Sequence, residues 1–189
     1  SSGQNPPQVA LTKLLVVGDG VVGLTLDGGH IVNGVGQLGT GPFVDIVGVP
    51  SGVPIPDYCV RRASPARWDC GGLQDAGVRG QRPNYEQVSL SRSRDLACGV
   101  FADGGAECWG NGTSRAEGQL PAGAWKSVHL GGSHACGLHV DGTVECWGAA
   151  TSPTGTFSAL GVGNDYACAV RAGTRELECW GAYAVNTTR

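Results

Sequence analysis

The sequence has no methionine, few charged side chains (15%) and few aromatics (6%). It also lacks any uninterrupted apolar run of 18 residues, which excludes a membrane-spanning helix and argues against membrane insertion. Without a methionine or an apolar leader core, the chain reads as one that begins after processing, its signal peptide gone. A formal net charge of −3 leaves no concentrated basic face of the kind nucleic-acid binding uses. No linker or low-complexity tract interrupts the chain, so residues 1–189 read as a single domain.

Catalytic signals are also missing. The histidines His30, His129, His134 and His139 fall in no recognisable catalytic motif, and no G-x-S-x-G elbow occurs. The glycine-rich VVGDGVVG (16–23) leads into a hairpin pattern and not a helix, against a nucleotide loop. No C-x2-C spacing is present, and no cysteine has a histidine partner at metal-ligand spacing. The expectation is therefore a protein with no catalytic residues, no metal and no cofactor.

Against these absences stand 33 glycines and eight cysteines. ACGLHVDGTVECWG (135–148) reads as a β-hairpin whose three-residue loop Val140-Asp141-Gly142 needs a left-handed glycine. That register sets Cys136 opposite Cys146, within reach of a disulfide. The same reading sets Cys98 opposite Cys108. Four-residue loops at 63–66 and 172–175 set Cys59 opposite Cys70 and Cys168 opposite Cys179. Four local bridges at this density imply an oxidising compartment, so the chain reads as secreted or displayed on an extracellular surface.

Each hairpin follows a strand that opens on a bulky residue, with starts near 11, 43, 85, 125 and 157, giving five repeats. The first lacks cysteines and places Val22 and Val32 at their positions. A Gly-Gln element precedes the bulky residue at 36–43 and 118–125, in altered form at 80–85 and 152–157. The element recurs at 3–11, so residues 3–10 are expected to complete the last repeat and close a ring without exposed edges.

The run A-C-[GA]-[LV]-x-x-D-G-x-x-x-C-W-G, preceded by [VL]-x-[LV]-G, resembles the repeats of the regulator of chromosome condensation superfamily, in their short, cysteine-bearing extracellular form. The short period is also similar to that of β-lactamase inhibitor protein II. The resemblance implies an all-β fold, a propeller of about five small antiparallel blades.

Trp109, Trp147 and Trp180 share one repeat position and read as packing between blades. Glu107, Glu145 and Glu178, each preceding a cysteine, read as solvent-facing. Seven arginines and five acids lie between Asp57 and Asp95. Of these, Arg61, Arg62, Arg67, Arg79 and Arg82 depart from the repeat and are the candidate binding residues, for a protein or acidic glycan ligand or for copies of the chain itself. Asn111 and Asn186 head N-glycosylation sequons. The function read from this is a non-catalytic extracellular binding module. The alternatives are a subunit of a filament or surface layer, and a secreted enzyme inhibitor or lectin.

Overall fold

The computed structural model describes residues 11–17, 20–25, 30–33, 42–48, 58–71, 80–93 and 95–182. Its secondary structure is five small antiparallel sheets in chain order. The first comprises β1 (Leu11–Val17), β2 (Gly20–Thr25) and β3 (His30–Asn33). The second has four strands, β4 (Phe43–Gly48), β5 (Tyr58–Arg62), β6 (Arg67–Gly71) and β7 (Gly80–Arg82). The third comprises β8 (Gln87–Leu90), β9 (Ala97–Val100) and β10 (Ala106–Trp109). The fourth comprises β11 (Trp125–Leu130), β12 (His134–His139) and β13 (Val144–Gly148). The fifth comprises β14 (Phe157–Val162), β15 (Tyr166–Arg171) and β16 (Leu177–Gly181). These are the blades of a β-propeller. Residues 3–10, expected to close the ring, lie outside the described residues.

The hairpin registers follow from the loops. His139 N–H donates to the Thr143 carbonyl across Val140-Asp141-Gly142, with Gly142 at φ 89°. Phe101 and Gly105 repeat the bond around Gly104, at φ 87°. In the four-residue loop 172–175 the left-handed position falls to Arg175, at φ 63°. The register places Cys98 opposite Cys108 and Cys136 opposite Cys146, and likewise Cys59 opposite Cys70 and Cys168 opposite Cys179. All four pairs form disulfides, with Cα atoms 4.0 Å apart. Val22 and Val32 are paired at the same position of the first blade.

A second device recurs in the first strands. The ladder skips one residue after the opening position in β1, β4, β11 and β14, a β-bulge at 12, 44, 126 and 158. A bulge shifts which face the following residues occupy. The bulky opening residue is thereby buried (Phe43, Trp125 and Phe157 are each 2% exposed), while Lys13 and Asp45, next after the bulge in β1 and β4, line a cavity. In the third copy the opening residue, Tyr85, precedes β8 and is fully buried.

The apolar cores lie between blades. Cys59 and Trp68 of the second blade pack with Tyr85, Val88, Ala97 and Trp109 of the third. Leu96, Cys98 and Val100 of the third pack with Trp125, Val128 and Trp147 of the fourth. Cys136, Leu138 and Val144 of the fourth pack with Phe157, Ala167 and Ala169 of the fifth. Trp109, Trp147 and Trp180, which follow the second cysteine in the last three blades, belong to this packing, as their repetition predicts. Each faces the opening aromatic of its own blade, Trp109 stacking on Tyr85 at 5.2 Å and Trp147 tilted against Trp125 at 5.6 Å. Glycine makes room for the larger rings. A Cβ on Gly137 would lie 2.2 Å from the Trp125 ring, and one on Gly99 would lie 2.5 Å from Tyr85.

Candidate functional site: the central cavity

The first strand of every blade lines one central cavity of about 480 Å³, from Lys13 of the first blade to Asn164 of the fifth. Its wall is held together by side chains that bridge from blade to blade. The Gln87 amide donates to the Val128 carbonyl at 2.9 Å and accepts from the Val128 N–H at 3.1 Å, copying a strand ladder where the backbones themselves do not pair. Ser89 Oγ accepts from Leu130 N–H at 3.0 Å. Lys13 forms an ion pair with Asp45 between the first two blades.

Other polar groups remain available to a ligand. Arg92 and Asn164 are exposed where they meet the cavity. His129 faces it too, and burial alone pushes its imidazole down to about 4, so it is neutral at physiological pH. Ser89 is engaged with a backbone amide and Asp45 with Lys13 and the Ile46 N–H, so these groups act as braces. The cavity offers hydrogen-bonding groups around an apolar wall, an arrangement suited to holding a side chain or small polar group.

The sequence-predicted arginines lie elsewhere. Arg61 binds Glu86 at 3.1 Å and Asn84 at 3.0 Å, while Arg62 and Arg67 converge on Asp69. Both arginines hold the Asp69 carboxyl below its ordinary range, against the opposing effect of burial. Arg82 lies over the Trp109 ring at 5.0 Å, and Arg79 lies outside the described residues. Contrary to the expectation from the sequence, Arg62 does not depart from the repeat. It pairs with Arg67 at the head of its hairpin and lies over the Phe43 ring, as Arg171 lies over Phe157 and His139 over Trp125.

That comparison exposes a motif the sequence reading missed, an opening aromatic, a cation or imidazole stacked on it, and a carboxylate just before the second cysteine. His139 meets Glu145 at 3.0 Å, Arg171 meets Glu178, and Arg62 meets Asp69. In the third blade Phe101 replaces the cation, and the Tyr85 hydroxyl donates directly to Glu107. Burial and that carboxylate both raise the Tyr85 phenol. The glutamates expected to face only solvent are thus tied to their own blades. The signal available in the sequence was the fixed offset of the acid from the cysteine. The varied partner, Arg, His or Phe, concealed the rest.

Comparison with known proteins supports the fold. The ectodomain of the Physcomitrella patens receptor kinase CR4 superposes with a TM-score of 0.74 at 23% identity, over 97% of this chain and 55% of that one. The CRINKLY WD40 ectodomain of the Arabidopsis thaliana receptor kinase ACR4 superposes with a TM-score of 0.65 at 20% identity, over 94% and 68%. Prp20p of Saccharomyces cerevisiae, whose structure was described with its binding to Gsp1p and histones, gives 0.66 at 12% identity, over 90% and 58%. A further yeast structure, of Kap60 bound to Prp20, identifies that protein as RCC1. The fold is that of the regulator of chromosome condensation repeats. The chain spans about half the length of the moss ectodomain. No family model and no curated protein matches it.

Asn111 is exposed in the turn that follows β10, whereas Asn186 lies outside the described residues. Among the described residues no three histidine, cysteine or acidic side chains gather as a metal site.

Proposed function

We propose that the chain is a non-catalytic extracellular propeller that binds a protein partner at its central cavity. The observation that carries this reading is the convergence of all five first strands on one cavity that keeps Arg92, Asn164 and His129 available. Four disulfides and the likeness to two receptor ectodomains support an extracellular setting. Prp20p, with the same fold and a role in binding Gsp1p and histones, supports a protein as the ligand. Fold likeness alone does not transfer a function, so the site must carry it.

The test places a photo-crosslinking residue at Arg92 or Asn164 of the intact protein, and in parallel at the outer loop residues Thr143 and Thr174. Each is exposed to the extracellular fluid of the source organism. One partner captured from the two axial positions and not from the outer loops is the expected result. Capture from the outer loops alone would move the site off the axis.

A further inference from the structure

A second cavity, of about 280 Å³, lies between the fourth and fifth blades, walled by Ser133, Ala149, Thr151, Asp165, Tyr166 and Trp180 among others. One blade earlier the equivalent space is filled. There the turn Ala116–Gly118 packs on β12 and β13, and the Glu117 carbonyl accepts from the Trp147 indole N–H at 2.9 Å. Glu117 is only 6% exposed, and Arg115 holds the turn by binding Asp95 and Glu117 together.

Trp180 is the residue equivalent to Trp147, paired with Ala167 as Trp147 is paired with Ala135. Its indole nitrogen is buried and has no hydrogen-bond partner among the described residues. Chain length explains the difference. Residues 110–124 connect the third blade to the fourth, but only residues 149–156 connect the fourth to the fifth. The short connector turns back at once, with Ser152 Oγ accepting from the Cys146 N–H at 2.8 Å, so it supplies no turn to the Trp180 indole. A buried donor without an acceptor is unfavourable and is satisfied in almost all native sites.

We infer that this slot takes a short segment of a partner polypeptide, made of small residues with one basic side chain, that supplies a backbone carbonyl to the Trp180 indole N–H. The Ala-Glu-Gly turn beside Trp147 shows the backbone shape that fits. The empty slot carries a negative charge that the filled one lacks at this position, because Asp165 stands where the filled slot has Ser133, and Asp165 is the only charged residue among the described wall residues. Asn164 is its hydrogen-bonding neighbour, and no cation meets it among the described residues. A lysine or arginine on the incoming segment would supply the missing partner. The slot adjoins the central cavity through Asn164, which lines that cavity and donates to Asp165, but the two share no wall residue.

The probe is the hexapeptide Ala-Ala-Lys-Gly-Gln-Leu, the chain's own residues 115–120 with alanine in place of Arg115 and lysine in place of Glu117, titrated into the intact ¹⁵N-labelled protein. The Trp180 indole resonance is assigned by its loss in Trp180→Phe. A saturable shift of that resonance is expected. The peptide should bind roughly tenfold more weakly to Trp180→Phe, the loss expected for one buried hydrogen bond. Asp165→Asn should remove the preference over the glutamate form of the peptide. Thr151→Arg, which blocks the slot from an exposed wall, should abolish binding while the other indole signals stay in place. Binding that leaves the Trp180 resonance still, or that survives Thr151→Arg, would overturn the inference. So would a chain lacking residues 183–189 whose Trp180 resonance moves without peptide, since the slot would then belong to its own tail. Arg92→Glu, which alters the central cavity, should leave peptide binding unchanged.

Discussion

Replacing Gln87 by alanine tests whether side-chain bridges along the axis hold neighbouring blades together. The Gln87 amide satisfies both the N–H and the carbonyl of Val128, a residue with 0% exposure. Each lost hydrogen bond costs about 1 kcal/mol net, and a backbone group left without a partner costs about 1–3 kcal/mol. Water in the adjoining cavity can reach part of this site, which moves the expectation to the lower half, about 2–3 kcal/mol for the pair. Gln87→Glu keeps the acceptor for Val128 N–H but sets a carboxylate against the Val128 carbonyl, so it should be no better. Denaturant unfolding of the oxidised protein gives the total, read as a lower midpoint at unchanged slope. Hydrogen exchange supplies the location, since the Val128 and Leu130 amides should lose protection while those of β15 and β16 keep it. A Gln87→Ala protein within 0.5 kcal/mol of the parent, with Val128 still protected, would refute the reasoning and leave the apolar core, the Ser89–Leu130 bond and the Trp125–Gly104 backbone bond to tie these blades.

Val22→Cys combined with Val32→Cys should form a fifth bridge, visible as a loss of two mass units on oxidation. It should stabilise by at most about 2–3 kcal/mol, because the hairpin is already constrained. Peptide mapping without reduction should find Cys59 with Cys70, Cys98 with Cys108, Cys136 with Cys146 and Cys168 with Cys179, and any bridge between blades would contradict the registers. His129 has a folded value near 4, below its ordinary 6.5, so between those values the unfolded chain binds more protons and stability falls as the pH drops. The loss should total at most roughly 3 kcal/mol by pH 4, and His129→Phe should flatten that slope. Gly137→Val should destabilise by more than 2 kcal/mol, because the Trp125 ring occupies the space of its Cβ, with thermal unfolding as the measure. Changing Arg61, Arg62 and Arg67 together to Ser tests binding of an acidic partner by that surface. Their side chains are only 20%, 20% and 27% exposed, and Arg62 also lies over the Phe43 ring, so the triple variant should melt lower while still folding, and association is compared at a temperature where both proteins are native. Unchanged association in low salt would remove these arginines from the binding surface.

What the sequence determined by itself was local. A ten-residue spacing of cysteines around Asp-Gly leaves one hairpin register, because a strand's side chains alternate and the loop length sets which residues face each other. Repetition of that hairpin, and of the bulky residue ahead of it, was enough to count five blades and to assign Trp109 and Trp147 to packing. Only the tertiary structure decided what the blades do to one another. The β-bulge that turns the first strands inward leaves no mark in the sequence, since Val44, Lys126 and Ser158 share no chemistry. The pairing of Arg62 with Asp69 and Phe43 depends on a register and a stacking direction together, and so an arginine that looked unconstrained proved to hold a repeat position. The same holds for Trp180. Its sequence context matches that of Trp147, but whether its N–H finds an acceptor depends on how far a neighbouring connector reaches, a distance that exists only once the blades are placed side by side.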